Sequence, residues 1–191
     1  MKRLGWGIVL LCLIIGTAAA QNSASTAPPT IASVLERQVS GVEKQVVPLA
    51  EAIPEDKYDF APTEGEFKGV RTVSKELLHL AAANYVFAAM LLGEAPKQVA
   101  NTDELTNGPT NVKGKAAVVQ YLKDSFAAAH KAVATVNEKN ELEMVKFPFG
   151  DSKMTRLYTA NIFAWHSMDH YGQLVVYARM NGIVPPASRQ N

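Results

Sequence analysis

Apolar residues recur at spacings of three and four along four long stretches of the chain, and no stretch alternates as a half-buried strand does. The first stretch runs from Thr30 to Ile53. Thr30 is placed to cap it after Pro28-Pro29, and Ile31, Val34, Leu35, Val42, Val46 and Leu49 give a loose apolar face. Gly41 and Pro48 interrupt it, and Pro48 predicts a kink in the last turn. The second spans Thr72 to Leu92. Its two neighbouring stripes are Val73, Leu77, Leu80, Phe87, Leu91 and Glu76, His79, Ala83, Val86, Met90, and Gly93 stops it. The third, from Lys113 to Val136, carries Val118, Leu122, Phe126, Ala129, Val133 and Val136 on one face. The fourth starts with Asp151 or Ser152 as cap and ends at Asn181-Gly182.

Four amphipathic helices without strands predict an all-α, four-helix bundle. The connectors after the first and second helices exceed tight-turn length, which admits a crossover as well as an up-and-down topology. The segment from Glu94 to Val112 is long enough for a lid or a partner-binding loop. Tyr58 and Phe60, beside prolines, are expected to plug one end of the bundle.

The N-terminus predicts an address. Lys2 and Arg3 precede an apolar run from Gly5 to Gly16, and Ala18-Ala19-Ala20 has the form of a cleavage site. This is the layout of a cleavable signal peptide over residues 1–20, with an uncleaved anchor as the alternative. A Ser-, Thr- and Pro-containing linker follows over 21–30, then the bundle domain over 31–188. Cleavage would remove Cys12, the only cysteine, so neither a disulfide nor a thiolate ligand is available to the mature chain. The expected location is periplasmic or secreted, with no stable membrane insertion after cleavage. A net charge of +1 without a basic block argues against nucleic acid as a partner.

The chemistry lies in the histidines, four in all. In Trp165-His166-Ser167-Met168-Asp169-His170 two imidazoles stand four apart, one above the other on a helix face. Thr159, Phe163, His166, His170, Gln173, Tyr177 and Met180 step by threes and fours, which predicts that this face points inward. A metal satisfies two buried imidazoles at this spacing, and hydrogen-bonded core histidines are the alternative. His79, in the second helix, would close a three-nitrogen site with one coordination position open. Ala81, Ala82 and Ala83 would let a neighbouring helix come close to it. His130 sits at the edge of the third stripe and is left out of the site. Glu76 is expected to be an exposed acid of the first turn, favoured by the helix dipole. Asp169 is either solvated or a partner to a ligand, and Gln173 and Tyr177 are candidates to hydrogen-bond the ligands. Histidines of ordinary basicity would release a metal as the pH falls below about 6.5.

The run from His166-Ser167-Met168-Asp169-His170-Tyr171-Gly172-Gln173 to Pro185-Pro186-Ala187-Ser188 resembles the C-terminal signature of the DinB-like (damage-inducible) family of metal-dependent enzymes. Leu77-Leu78-His79-Leu80-Ala81 resembles the segment that carries that family's first histidine. Tyr58-Asp59-Phe60-Ala61-Pro62 and Phe147-Pro148-Phe149-Gly150 are similar too, and the likeness covers residues 31 to 188. The resemblance implies a four-helix bundle holding a divalent cation of zinc, nickel or iron type on His79, His166 and His170. It implies a metalloenzyme acting on a small molecule, with some relatives transferring or isomerising with a low-molecular-weight thiol, while an open three-histidine site fits hydrolysis or thiol transfer. The export signal sets this chain apart, because such thiols are cytosolic. A non-catalytic bundle that binds a metal or small ligand is the alternative, and a homodimer is compatible with either.

Overall fold

The computed structural model describes residues 28–189, so the signal peptide and most of the linker lie outside the described residues. Four long helices form the body: α1 (Ile31–Ala52), α2 (Val73–Leu92), α4 (Lys115–Val133) and α5 (Arg156–Met180). A short α3 (Thr102–Asn107) lies in the connector after α2, and a hairpin of β1 (Met144–Lys146) and β2 (Lys153–Thr155) lies between α4 and α5.

Local chemistry accounts for the helix ends. The Thr30 hydroxyl accepts from the Ser33 amide at 3.1 Å while Ser33 Oγ accepts from the Thr30 amide at 2.9 Å, a reciprocal cap. The Thr72 hydroxyl caps α2 by accepting from the Lys75 amide, without a reciprocal bond, and Gly93 ends it with φ of 68°, a left-handed conformation open to glycine. Helix α1 runs on through Pro48 to Ala52. The cap of α5 is Thr155, whose hydroxyl accepts from the Tyr158 amide, rather than Asp151 or Ser152. Those two residues belong to the hairpin, which corrects the expectation of a chain without strands. Three residues per strand are too few to leave an alternating pattern.

The helices pack in the ring α1–α4–α2–α5, with α1 and α2 on a diagonal. Contacts fix the directions. Lys123 pairs with Glu51 and His130 with Glu36, so α1 and α4 are antiparallel. Glu76 meets His170 and the Arg156 guanidinium donates to the Leu91 carbonyl, so α2 and α5 are antiparallel. Lys115 at the start of α4 donates to Glu55 and Ser74 at the start of α2 donates to the Tyr58 carbonyl, so α2 and α4 begin at the same end and the connector holding α3 spans the length of the bundle, a crossover. Leu49, Leu77, Leu80, Leu122, Phe126, Phe163 and Leu174 fill the centre and are all solvent-free. Tyr58 is buried with its hydroxyl donating to the Ala50 carbonyl at 2.8 Å, and Phe60 packs edge-on against Tyr177, so the loop aromatics do close the end of the bundle.

His130 clamps α1 to α4. Its Nδ1 faces Glu36 at 2.8 Å and its Nε2 faces Glu43 at 2.9 Å. An imidazole donates from both nitrogens only when charged. Burial alone would lower its pKa, but the hydrogen bonds to Glu43 and Glu36 outweigh it and the net shift is upward. Stability from a raised histidine pKa is fully present below the unfolded value of about 6.5 and is lost as the pH rises through the folded value. The melting-temperature gap between wild type and His130→Ala is thus expected to be widest near about pH 6 and to narrow at alkaline pH. A gap that stays constant or widens with pH would refute the clamp.

Candidate metal centre

Helices α2 and α5 bring His79, His166 and His170 together, with one nitrogen of each within 4.8 Å of the others. Their ring centroids lie 4.4 to 5.2 Å apart. His170 is buried, while His79 and His166 are half-buried. All three histidines expected from spacing meet here, and His130 lies apart in its clamp.

Two of the rings are aimed by what their other nitrogen touches, while His166 Nδ1 is buried without a partner. His170 Nδ1 lies 2.5 Å from Glu76 Oε1, so Nδ1–H donates to the carboxylate and the lone pair is on Nε2. His79 Nδ1 lies 2.6 Å from the Leu105 carbonyl, which can only accept, so its lone pair is also on Nε2. His170 Nε2 and His166 Nε2 are 3.0 Å apart. Two lone pairs tolerate that separation only with a proton or a cation between them. Two nitrogens bound to one tetrahedral zinc ion lie about 3.3 Å apart, so the spacing suits a shared cation. Three neutral imidazoles are a borderline-soft donor set of the kind that zinc, nickel and iron ions accept. The residues present therefore fit a divalent metal.

The electrostatics favour the neutral, ligating form of His166 and His79. Burial, followed by the charges of His170, His79 and Arg71, pushes the His166 pKa down to about 3. His79 is also lowered, chiefly by burial, against the pull of its bond to Leu105.

Glu76 corrects the sequence expectation. It is 1 % exposed rather than a solvated first-turn acid. Burial alone would raise its carboxyl, yet the His170 hydrogen bond, the His170 charge and Arg71 bring it below the ordinary range. Arg71 Nη1 stands 3.6 Å from Glu76 Oε2, and its Nε–H donates to the Thr106 carbonyl at 2.8 Å. Consecutive carbonyls of α3 thus receive His79 and Arg71. The placement of α3 depends on Gly108, which has φ of 78°. A Cβ there would sit 2.2 Å from Leu78 Cβ, on the residue before His79.

The predicted inward face of α5 needs revision. Gln173 and Met180 are exposed, while Ser167, Tyr171, Leu174 and Ala178 are buried. Helix α5 packs against both α1 and α2, so its buried arc is wider than the single expected stripe. Gln173 donates to Asp169 at 3.3 Å on the surface, so neither orients a ligand. Tyr177 is buried beside Phe60 and senses the charges of Glu76 and Arg71. Sequence reading missed Arg71, Leu105 and the role of Glu76. A carboxylate three residues before a histidine on an otherwise apolar stripe was the available signal for the last.

The comparison with known families agrees with this geometry. The family model of the DinB superfamily matches residues 38–174, a span that contains all three histidines. The chain belongs to the DinB superfamily. No curated protein matches it. Membership of the DinB superfamily and the cluster of three imidazoles together support a divalent metal site.

Two outcomes follow for this DinB-superfamily site. Glu76→Gln keeps an acceptor for His170 but removes the charge, and is expected to weaken zinc binding by about 10- to 100-fold in competition with a chelating dye. Unchanged affinity would show that Glu76 has no part in aiming His170. Because His79 and His166 resist protonation, metal content measured after dialysis should be retained below about pH 6.5 and fall only at more acid pH. Complete loss at pH 6.5 would contradict the lowered values.

Proposed function

We propose that this chain is an exported metalloenzyme of the DinB superfamily that holds one divalent cation on His79, His166 and His170 and acts on a small molecule at the open position. The observation that carries the reading is the convergence of three nitrogens, two of them Nε2 lone pairs aimed by Nδ1 bonds to Glu76 and to the Leu105 carbonyl. A closed structural site would fill its fourth position from the protein, whereas only three protein nitrogens converge here among the described residues and His79 and His166 are not fully buried. A divalent cation supplies Lewis acidity there, polarising an oxygen or sulfur of the bound molecule. Hydrolysis and thiol transfer are the reaction types that use such a site.

The chain's own residues limit the roles. Glu76 is engaged by His170 and Arg71 and cannot serve as a free base. Burial, then the Glu76 charge, raises the Tyr177 pKa, so its hydroxyl keeps its proton and can donate but not abstract. That commitment of Glu76 favours a second reading, a bundle that binds the metal and a ligand without turnover. Export rests on the apolar run and the Ala18-Ala19-Ala20 motif. Among the described residues no helix is long and apolar enough to cross a membrane.

Untagged protein purified from its native compartment is expected to carry about one divalent metal per chain by elemental analysis, as a three-imidazole site requires. The variant with His79, His166 and His170 all changed to Ala should carry none while keeping its helical circular dichroism. Wild-type metal content in that variant would remove the assignment. In the cobalt-substituted protein, spectral change on adding azide separates an exchangeable position from the inert site that mere storage would tolerate.

A further inference from the structure

Arg71 is held beside the three-histidine site with most of its hydrogen-bonding capacity unspent. Its Nε–H donates to the Thr106 carbonyl, the only hydrogen bond its guanidinium makes among the described residues. Its Nη1 lies 3.6 Å from Glu76 Oε2, close enough for charge compensation but long for a hydrogen bond. A guanidinium has five N–H donors, so the two terminal nitrogens keep most of theirs. The side chain is 27 % exposed, so the fork reaches solvent.

Its place is fixed from two sides. Leu105 and Thr106 are consecutive residues of α3, and their carbonyls take His79 and Arg71 respectively, which sets the guanidinium next to a ligand imidazole. Glu76 contacts Arg71 with one oxygen and His170 with the other. Arg71 is thereby tied to His170 through Glu76 and to His79 through two adjacent carbonyls of α3. Helix stapling alone would be served by Nε, and the neutralisation of Glu76 by one Nη. A planar fork left over at the edge of a metal site matches the geometry of a carboxylate.

Charge points the same way. With neutral imidazoles, Glu76 and Arg71 cancel, and a divalent cation would make the site net positive. Such a site attracts an anion rather than a neutral molecule. We infer that Arg71 is the anion-recognising residue of this site, and that the small molecule it takes carries a carboxylate together with an oxygen or sulfur for the metal. This rests on the proposed metal site and narrows its substrate class.

Glycolate and its neutral counterpart glycolamide are the probes, titrated into the cobalt-substituted full chain and followed by visible absorption. Wild type is expected to prefer glycolate, and Arg71→Gln to lose about ten-fold in glycolate affinity while glycolamide affinity stays within about two-fold, the loss of one charge-assisted contact. Arg71→Lys, which keeps charge but not the fork, should fall between them. In wild-type protein, glycolate should also protect Arg71 from phenylglyoxal more than it protects the exposed Arg37, measured by peptide mass mapping, which needs no substitution. Equal loss for both probes, or no loss with cobalt at full occupancy and Arg71 unprotected, overturns the inference and leaves the metal site standing. Cobalt content at background in wild type overturns the metal site and this inference with it.

Discussion

The hydrogen bond between Glu76 and His170 is the interaction on which the site depends. A carboxylate that is 1 % exposed is costly to bury, and losing one partner of such a buried pair typically costs about 3–5 kcal/mol. Here the cost is met by His170 at 2.5 Å and Arg71 at 3.6 Å, so the group stays ionised inside the bundle. The same contact does three things. It joins α2 to α5, selects the tautomer of His170, and turns the Nε2 lone pair toward His166. A core leucine at position 76 would join the helices equally well but would leave the imidazole unaimed.

The second support comes from the crossover. In an up-and-down bundle α2 would be followed by a tight turn, and no backbone would lie outside His79. Because α2 and α4 run in the same direction, the connector must travel the length of the bundle, and α3 forms on the way. Its Leu105 carbonyl then fixes His79 as Glu76 fixes His170. Gly108 makes this possible: its missing Cβ lets the end of α3 lie against Leu78. Topology and ligand geometry are therefore linked through one glycine and one carbonyl.

The long helices were legible because each is 19 to 25 residues and carries several turns of apolar periodicity, with a cap at Thr30 and a stop at Gly93. The three histidines were legible because spacing alone constrains where helical side chains can meet. What escaped was short or non-local. Six residues of α3 and three per strand give no period to read. The face of α5 was drawn too narrowly because the sequence does not say that two helices flank it. Glu76 was misassigned because position in a first turn and position on a buried stripe make opposite predictions. Only the partner on α5, 94 residues away, decides between them.

The Glu76–His170 pair also bears on how three imidazoles can gather inside the bundle. Burial lowers the basicity of His79 and His166, which keeps their lone pairs free, but it would equally resist any charge brought to them. A fixed carboxylate one group away offsets part of the cost of receiving a cation. Without Arg71 that carboxylate would be a buried charge held only by its hydrogen bond to His170 whenever the cation was absent. Arg71 compensates it in that state and faces solvent on its other edge. The pair thus stabilises the empty scaffold and shapes the field that the filled site presents. On this argument Glu76 and Arg71 form one unit with the histidines, and substitutions at 71 and 76 should be non-additive with one another because they share a single electrostatic balance.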